Sequence, residues 1–293
     1  MKIIETFSSG AVSRVSEVMF DYDQRAPLNI EEAAVEERDG AHVCDISYRS
    51  ANNMRVAAYL VVPHEEGSHA GIIFLHGGEQ DRSDFLDEAL SLAKACAVSL
   101  LIDEPTVRQM PHFTEPEADR VRFIQTVINV RRGVDLLTSR PEVDAGRIGY
   151  MGLSFGAWMG GVLAGVEKRI KAYVLIAGTP SMTGIWRSSQ HAVVQDVRRS
   201  LTKEQLDRYI EATSPLDAIH HIGRAAPSAL FFQFARCDEV ISAEAALRYS
   251  EAASHPKLTR WYDAGHQDIF IKSEALRDRA AWLSQQIGLR FIG

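Results

Sequence analysis

Cysteine is scarce in this chain: Cys44, Cys96 and Cys237 are the only three. Their odd number and the lack of any CxxC spacing argue against a disulfide framework or a zinc knuckle, and point to a reducing compartment. No apolar run approaches the roughly 18 residues that a membrane-spanning helix needs, so no membrane association is expected. The first ten residues hold no apolar segment of the kind that precedes a processing site, and the reading is of an unprocessed, cytoplasmic protein. Positive charge is not in excess. The net charge of −7 offers no basic face to a phosphate backbone, so nucleic acid is not expected as a partner. Internal repeats and low-complexity tracts are also lacking.

What is present is an ordinary globular composition, 46% hydrophobic and 24% charged over 293 residues, enough for one large α/β domain. Residues 1–40 are polar and mixed, and read as a helical or irregular extension. Segments 43–49 and 55–62 have strand character around a Ser50-Ala-Asn-Asn53 turn signal, predicting an antiparallel hairpin. Short, nearly continuous apolar runs then alternate with helical patterns. The runs at 71–76, 97–102, 147–152 and 172–177 fit strands buried on both faces. Helices are predicted at 83–96, 117–138 and 154–166. Such alternation builds a parallel sheet with helices on both faces. It stops between 178 and 227, a mostly helical stretch with a capping-box pattern at Thr202-Lys-Glu-Gln205, read as a small helical cap insertion because unstructured connections are rarely so long. It resumes with a strand at 228–234, a helix at 242–253, a strand at 258–262 and a closing helix at 274–288.

The strongest chemical signal is Gly152-Leu-Ser-Phe-Gly156, between a buried strand and a helix. A serine hydroxyl needs exposure and a base to act as a nucleophile. A sharp strand-to-helix turn exposes it, and glycines two before and two after avoid collisions in that turn. Ser154 also stands at a helix N-terminus, where backbone N–H groups favour developing negative charge.

With this motif the chain resembles the α/β-hydrolase superfamily, and within it the dienelactone-hydrolase-like and acyl-peptidase-like serine esterases. The resemblance runs from 71 to 293 in order and motif. It implies a doubly wound, mostly parallel sheet with an N-terminal antiparallel hairpin in a single domain. It also implies the chain order nucleophile, acid, histidine. Asp238, in Phe234-Ala-Arg-Cys-Asp-Glu-Val-Ile241, stands where the family carries its acid. Glu239, Asp103, Asp263 and Asp144 are weaker rivals. His266, in Asp263-Ala-Gly-His266, stands just past the last strand, where the order requires a base; the other nine histidines carry no such implication. The family takes one oxyanion donor from the residue after the nucleophile, here Phe155. The second comes from the loop Leu75-His-Gly-Gly-Glu-Gln80, with Gly78 the leading donor and Glu79 where some relatives have a third glycine. His76 reads as a loop organiser.

Trp158, Trp186, Met110, Phe113 and Met182 are candidates for either a pocket or the core. Cys237 reads as a small buried filler. No metal or organic cofactor is implied. The expected partner is a small-molecule ester cleaved through an acyl-enzyme, with lactone, thioester or peptide hydrolysis by the same residues as the alternative and a non-catalytic scaffold as the remote one. Self-association into a homo-oligomer is left open.

Overall fold

A computed structural model of the chain describes residues 18–78, 80–105 and 111–290. Glu79 and Met110 lie outside the described residues. In chain order the elements are β1 (Glu31–Arg38), β2 (Ala41–Arg49), β3 (Arg55–Pro63), β4 (His69–Leu75), α1 (Leu86–Ala93), β5 (Ala97–Ile102), α2 (Pro116–Thr138), β6 (Val143–Leu153), α3 (Phe155–Val166) and β7 (Ile170–Ile176). They continue with α4 (Met182–Ser188), α5 (Ala192–Ser200), α6 (Lys203–Thr213), β8 (Ala229–Ala235), α7 (Ala243–Ala252), β9 (Lys257–Tyr262), α8 (Asp268–Ile271) and α9 (Ser273–Ile287). Among the described residues, nine strands form one sheet in the order β1-β2-β3-β5-β4-β6-β7-β8-β9. The pairings from β5 across to β9 are parallel, and those joining β1, β2, β3 and β5 are antiparallel.

Residues 1–17 of the extension lie outside the described residues, and the described part, from residue 18 onward, is more ordered than its composition suggests. It contains β1, a third antiparallel strand where a helical or irregular segment was expected. The sequence of β1, Glu-Glu-Ala-Ala-Val-Glu-Glu-Arg, is exposed at every position. An edge strand with both faces wet has no apolar alternation to betray it. Further back, Phe20 is fully buried. The segment around it is tied to α2 by Arg131, which donates to the Phe20 carbonyl at 2.6 Å, and by Arg132, which donates to the Ala26 carbonyl at 2.7 Å.

The central strands β4 and β5 are buried along their whole length, as their unbroken apolar sequences demand. One face of the sheet carries α2, α3 and α7, through side chains such as Val130, Trp158 and Tyr249. The other carries α1 and α9, through Leu90, Leu283 and Ile287. Register sets Leu75 beside Gly152 and Leu153 beside Ile176. The carboxyl ends of β4, β6 and β7 therefore finish level, and the loops leaving them share one rim.

The stretch 178–227 divides in two. Its second part, from 214 onward, is short 3-10 turns whose Leu216, Ala218, Ile222 and Ala225 are completely buried in the core shared with α3. Its first part holds α4, α5 and α6, and α6 opens on the capping box of Thr202 and Gln205. This part is fastened to the body at Asp119 of α2, whose carboxylate is fully buried. Asp119 accepts the His112 backbone N–H at 2.8 Å, His112 Nδ1 at 2.9 Å and the Tyr209 hydroxyl of α6 at 3.0 Å. Burial, and then the adjacent Asp119 charge, push the Tyr209 hydroxyl far above its ordinary range, so it stays a donor at any working pH. Beside it Phe113, Trp186 and Tyr209 form an aromatic cluster, with Phe113 centred 5.0 Å from Trp186 and 4.6 Å from Tyr209.

Candidate active site

The turn between β6 and α3 is built by two close approaches. A Cβ at Gly152 would lie 2.4 Å from the Gly156 carbonyl carbon and oxygen, and one at Gly156 would lie 2.0 Å from the Leu75 carbonyl oxygen. Backbone occupies both places, so no side-chain adjustment could make room. Ser154, between them, takes φ 51° and ψ −104°, a strained conformation for a residue with a Cβ. The turn is held by the Ser154 N–H donating to the Ile176 carbonyl at 2.8 Å and by the Tyr150 hydroxyl donating to the Gly156 carbonyl at 2.6 Å. Gly156→Ala is expected to destabilise the fold by about 3 kcal/mol or more, at the high end of single-residue effects, because the added methyl collides with main chain. Urea unfolding followed by circular dichroism would measure the shift in midpoint.

Ser154, His266 and Asp238 meet although 28 and 112 residues separate His266 from the other two. The Ser154 Oγ lies 2.9 Å from His266 Nε2, and His266 Nδ1 lies 2.8 Å from Asp238 Oδ2 and 3.0 Å from Oδ1. Asp238 stands in the loop after β8 and His266 in the loop after β9, each at a carboxyl end of the sheet. The side chains of both are about 95% buried, at 4% and 5% exposure. Asp238 Oδ1 also accepts the Val240 N–H at 2.9 Å and the Ile241 N–H at 2.7 Å, which fixes the carboxylate plane. A carboxylate only accepts, so the His266 proton sits on Nδ1 and the Nε2 lone pair faces the serine.

The rival acids lie elsewhere. Glu239 accepts the His266 backbone N–H at 3.2 Å. Asp263 pairs with Arg236 on the surface, Asp144 caps the Gly146 N–H near the start of β6, and Asp103 approaches His76 at 3.5 Å. His76 is buried and bridges two loops. Its Nε2 accepts the Glu104 N–H at 2.9 Å, so its Nδ1 is the donor to the Gly77 carbonyl at 2.8 Å. The Gly77 backbone comes up against Ser154, since a Cβ there would lie 3.6 Å from the serine Cβ. The Gly77 N–H is engaged by Gln80 Oε1 at 3.0 Å. Phe155 is the first residue of α3, and the opening N–H groups of a helix have no partner within it.

Of the pocket candidates, Trp158 is completely buried between Phe123 and Phe155, and Met182 packs at the edge of the same core. Trp186 and Phe113 belong to the aromatic cluster of the helical excursion. Cys237 is exposed, which corrects the expectation of a buried filler: it follows Arg236 in the turn leaving β8, where side chains point to water. Sequence reasoning missed Gln80, whose role rests on a side chain folding back three residues, and the Asp119–Tyr209 bond, which joins positions 90 residues apart. Among the described residues no cluster of metal-ligating side chains gathers at Ser154, and no helix is long and apolar enough to cross a membrane.

The fold is that of the α/β hydrolases. Acetyl xylan esterase 1 from Thermoanaerobacterium sp. JW/SL YS485 superposes with a TM-score of 0.76 at 18% identity, over 94% of this chain and 93% of that one. The acetyl xylan esterase from Paenibacillus sp. R4 gives 0.76 at 19% identity, over 98% and 96%. The 2,6-dihydroxy-pseudo-oxynicotine hydrolase gives 0.65 at 16% identity, over 90% and 70%. In sequence, residues 131–234 match the model of the BAAT / acyl-CoA thioester hydrolase C-terminal family. That span includes Ser154 and ends before Asp238 and His266. No curated protein matches in sequence.

Proposed function

We propose that this protein is a serine hydrolase that cleaves carboxylic esters through an acyl-enzyme. The observation that carries the reading is the continuous hydrogen-bonded chain from the Ser154 Oγ through His266 to Asp238, standing at a strained elbow. In this mechanism His266 Nε2 takes the hydroxyl proton as the Ser154 Oγ attacks the ester carbonyl carbon. Asp238 holds the imidazole in the competent tautomer and stabilises the imidazolium. The negative charge that develops on the carbonyl oxygen needs preorganised N–H donors. Phe155 supplies one. Because Gly77 already spends its N–H on Gln80, Gly78 is the donor from the facing loop. His266 then gives its proton to the leaving alcohol, and water, activated by the same base, releases the acid.

Oxygen esters lead because the solved structures of similar fold include named esterases over nearly their whole length. The sequence match to a thioester hydrolase family supports a second reading, with the same residues acting on an acyl thioester. The test is to treat the purified protein with a fluorophosphonate and to assay p-nitrophenyl esters of increasing acyl length beside acyl-CoA thioesters. Stoichiometric labelling of Ser154, with turnover of esters faster than of thioesters, is the expected result. Labelling with preference for thioesters would move the assignment to the second reading. No labelling at all would overturn both.

A further inference from the structure

Far from Ser154, the antiparallel end of the sheet gathers three metal-ligating side chains. Glu37 of β1 stands directly opposite His42 of β2, and His42 stands opposite Val62 of β3. His64 lies two residues beyond Val62, and its backbone N–H donates to the Gly40 carbonyl at 3.1 Å. Strand side chains alternate with a period of two, so all three project from one face. His42 Nδ1 lies 2.8 Å from one Glu37 oxygen and His64 Nε2 lies 2.5 Å from the other. The two rings are centred 4.5 Å apart, and the three candidate ligand atoms fall within 4.8 Å of one another.

We infer that Glu37, His42 and His64 form a surface site for a divalent cation of the zinc class. Two imidazole nitrogens and one carboxylate suit a borderline-soft ion. Magnesium and calcium are hard ions that take oxygen donors, which two imidazoles do not supply. The His42 and His64 side chains are 44% and 45% exposed, so water has access to complete the coordination. Without an ion the same contacts are N–H···O bonds from the rings to Glu37. When a cation takes their place, each ring carries its proton on the outward nitrogen, and no net proton is lost from neutral imidazoles.

The site's position indicates what it does. β3 runs antiparallel to β5, so the end of β3 lies at the amino ends of the parallel strands, opposite the rim that bears Ser154. The ion would staple the turn between β1 and β2 to the segment that leaves β3. That secures an edge strand that buries none of its own side chains. This inference is independent of the hydrolase reading.

The experiment uses the full chain stripped with a chelator and desalted, then titrated calorimetrically with zinc chloride and, separately, with magnesium chloride at neutral pH. One zinc per chain and no magnesium binding are expected. His42→Ala and His64→Ala should each weaken zinc binding by about tenfold or more, since loss of even an outer-shell partner commonly costs that much. Zinc should raise the melting temperature of the wild type more than that of either variant. Absence of zinc binding by the wild type would overturn the site. So would unchanged affinity in both variants, which would leave a hydrogen-bonded His–Glu cluster only.

Discussion

Ser154→Ala should lower kcat for p-nitrophenyl ester hydrolysis by about four to six orders of magnitude, with KM changed little. Removal of a nucleophile that acts together with its base costs on this scale, and what remains comes from oxyanion stabilisation and binding. The structure makes the test clean. The Ser154 Oγ has His266 Nε2 as its hydrogen-bond partner among the described residues. The main-chain bonds that hold the elbow, from Ser154 N–H to Ile176 and from Trp158 N–H to the Ser154 carbonyl, are untouched by the substitution. Alanine also carries a Cβ at φ 51°, so the variant inherits the same backbone strain and should unfold at nearly the same denaturant concentration. A variant of wild-type stability that retains more than about a hundredth of the activity would remove Ser154 from the reaction.

How much of this could be read from the sequence depended on whether the deciding interaction was local or patterned. The parallel strands were legible because burial on both faces forces unbroken apolar runs such as Gly71-Ile-Ile-Phe-Leu-His76. The elbow was legible because two close backbone approaches admit only glycine at 152 and 156, leaving a fixed spacing around the serine. Asp238 and His266 are legible through chain order and through their places in the loops after the last two strands, whereas their contact depends on β8 and β9 lying side by side. β1 was not legible, since an exposed edge strand has no apolar period. The exposure of Cys237 is not legible from residue type, because turn geometry decides it. The Asp119 carboxylate is invisible for a further reason: beside His112 and Arg122 it looks like any surface acid on a helix until Tyr209 is brought to it from 90 residues away.

Asp238→Asn should lower kcat by about four orders of magnitude, whereas Glu239→Gln should cost less than about tenfold. The geometry around Asp238 explains why the isosteric amide is so damaging. Oδ1 receives two backbone N–H bonds, from Val240 and Ile241. An asparagine must keep its carbonyl oxygen there, because turning the amide would set its NH2 against two donors. The NH2 group then takes the place of Oδ2, 2.8 Å from His266 Nδ1, and donates to it. Nδ1 becomes an acceptor and the ring proton moves to Nε2, so the nitrogen that faces the Ser154 Oγ has no lone pair to receive its proton. Every contact is retained and the chemistry is lost through the tautomer alone. Glu239 touches the backbone N–H of His266 rather than its ring, and glutamine can accept that bond through its own carbonyl. Steady-state ester hydrolysis by the two variants, with unfolding midpoints as the control for stability, separates the two acids. The reverse order of effects would transfer the orienting role to Glu239, and equal, small effects would mean that His266 needs no carboxylate partner to act as base.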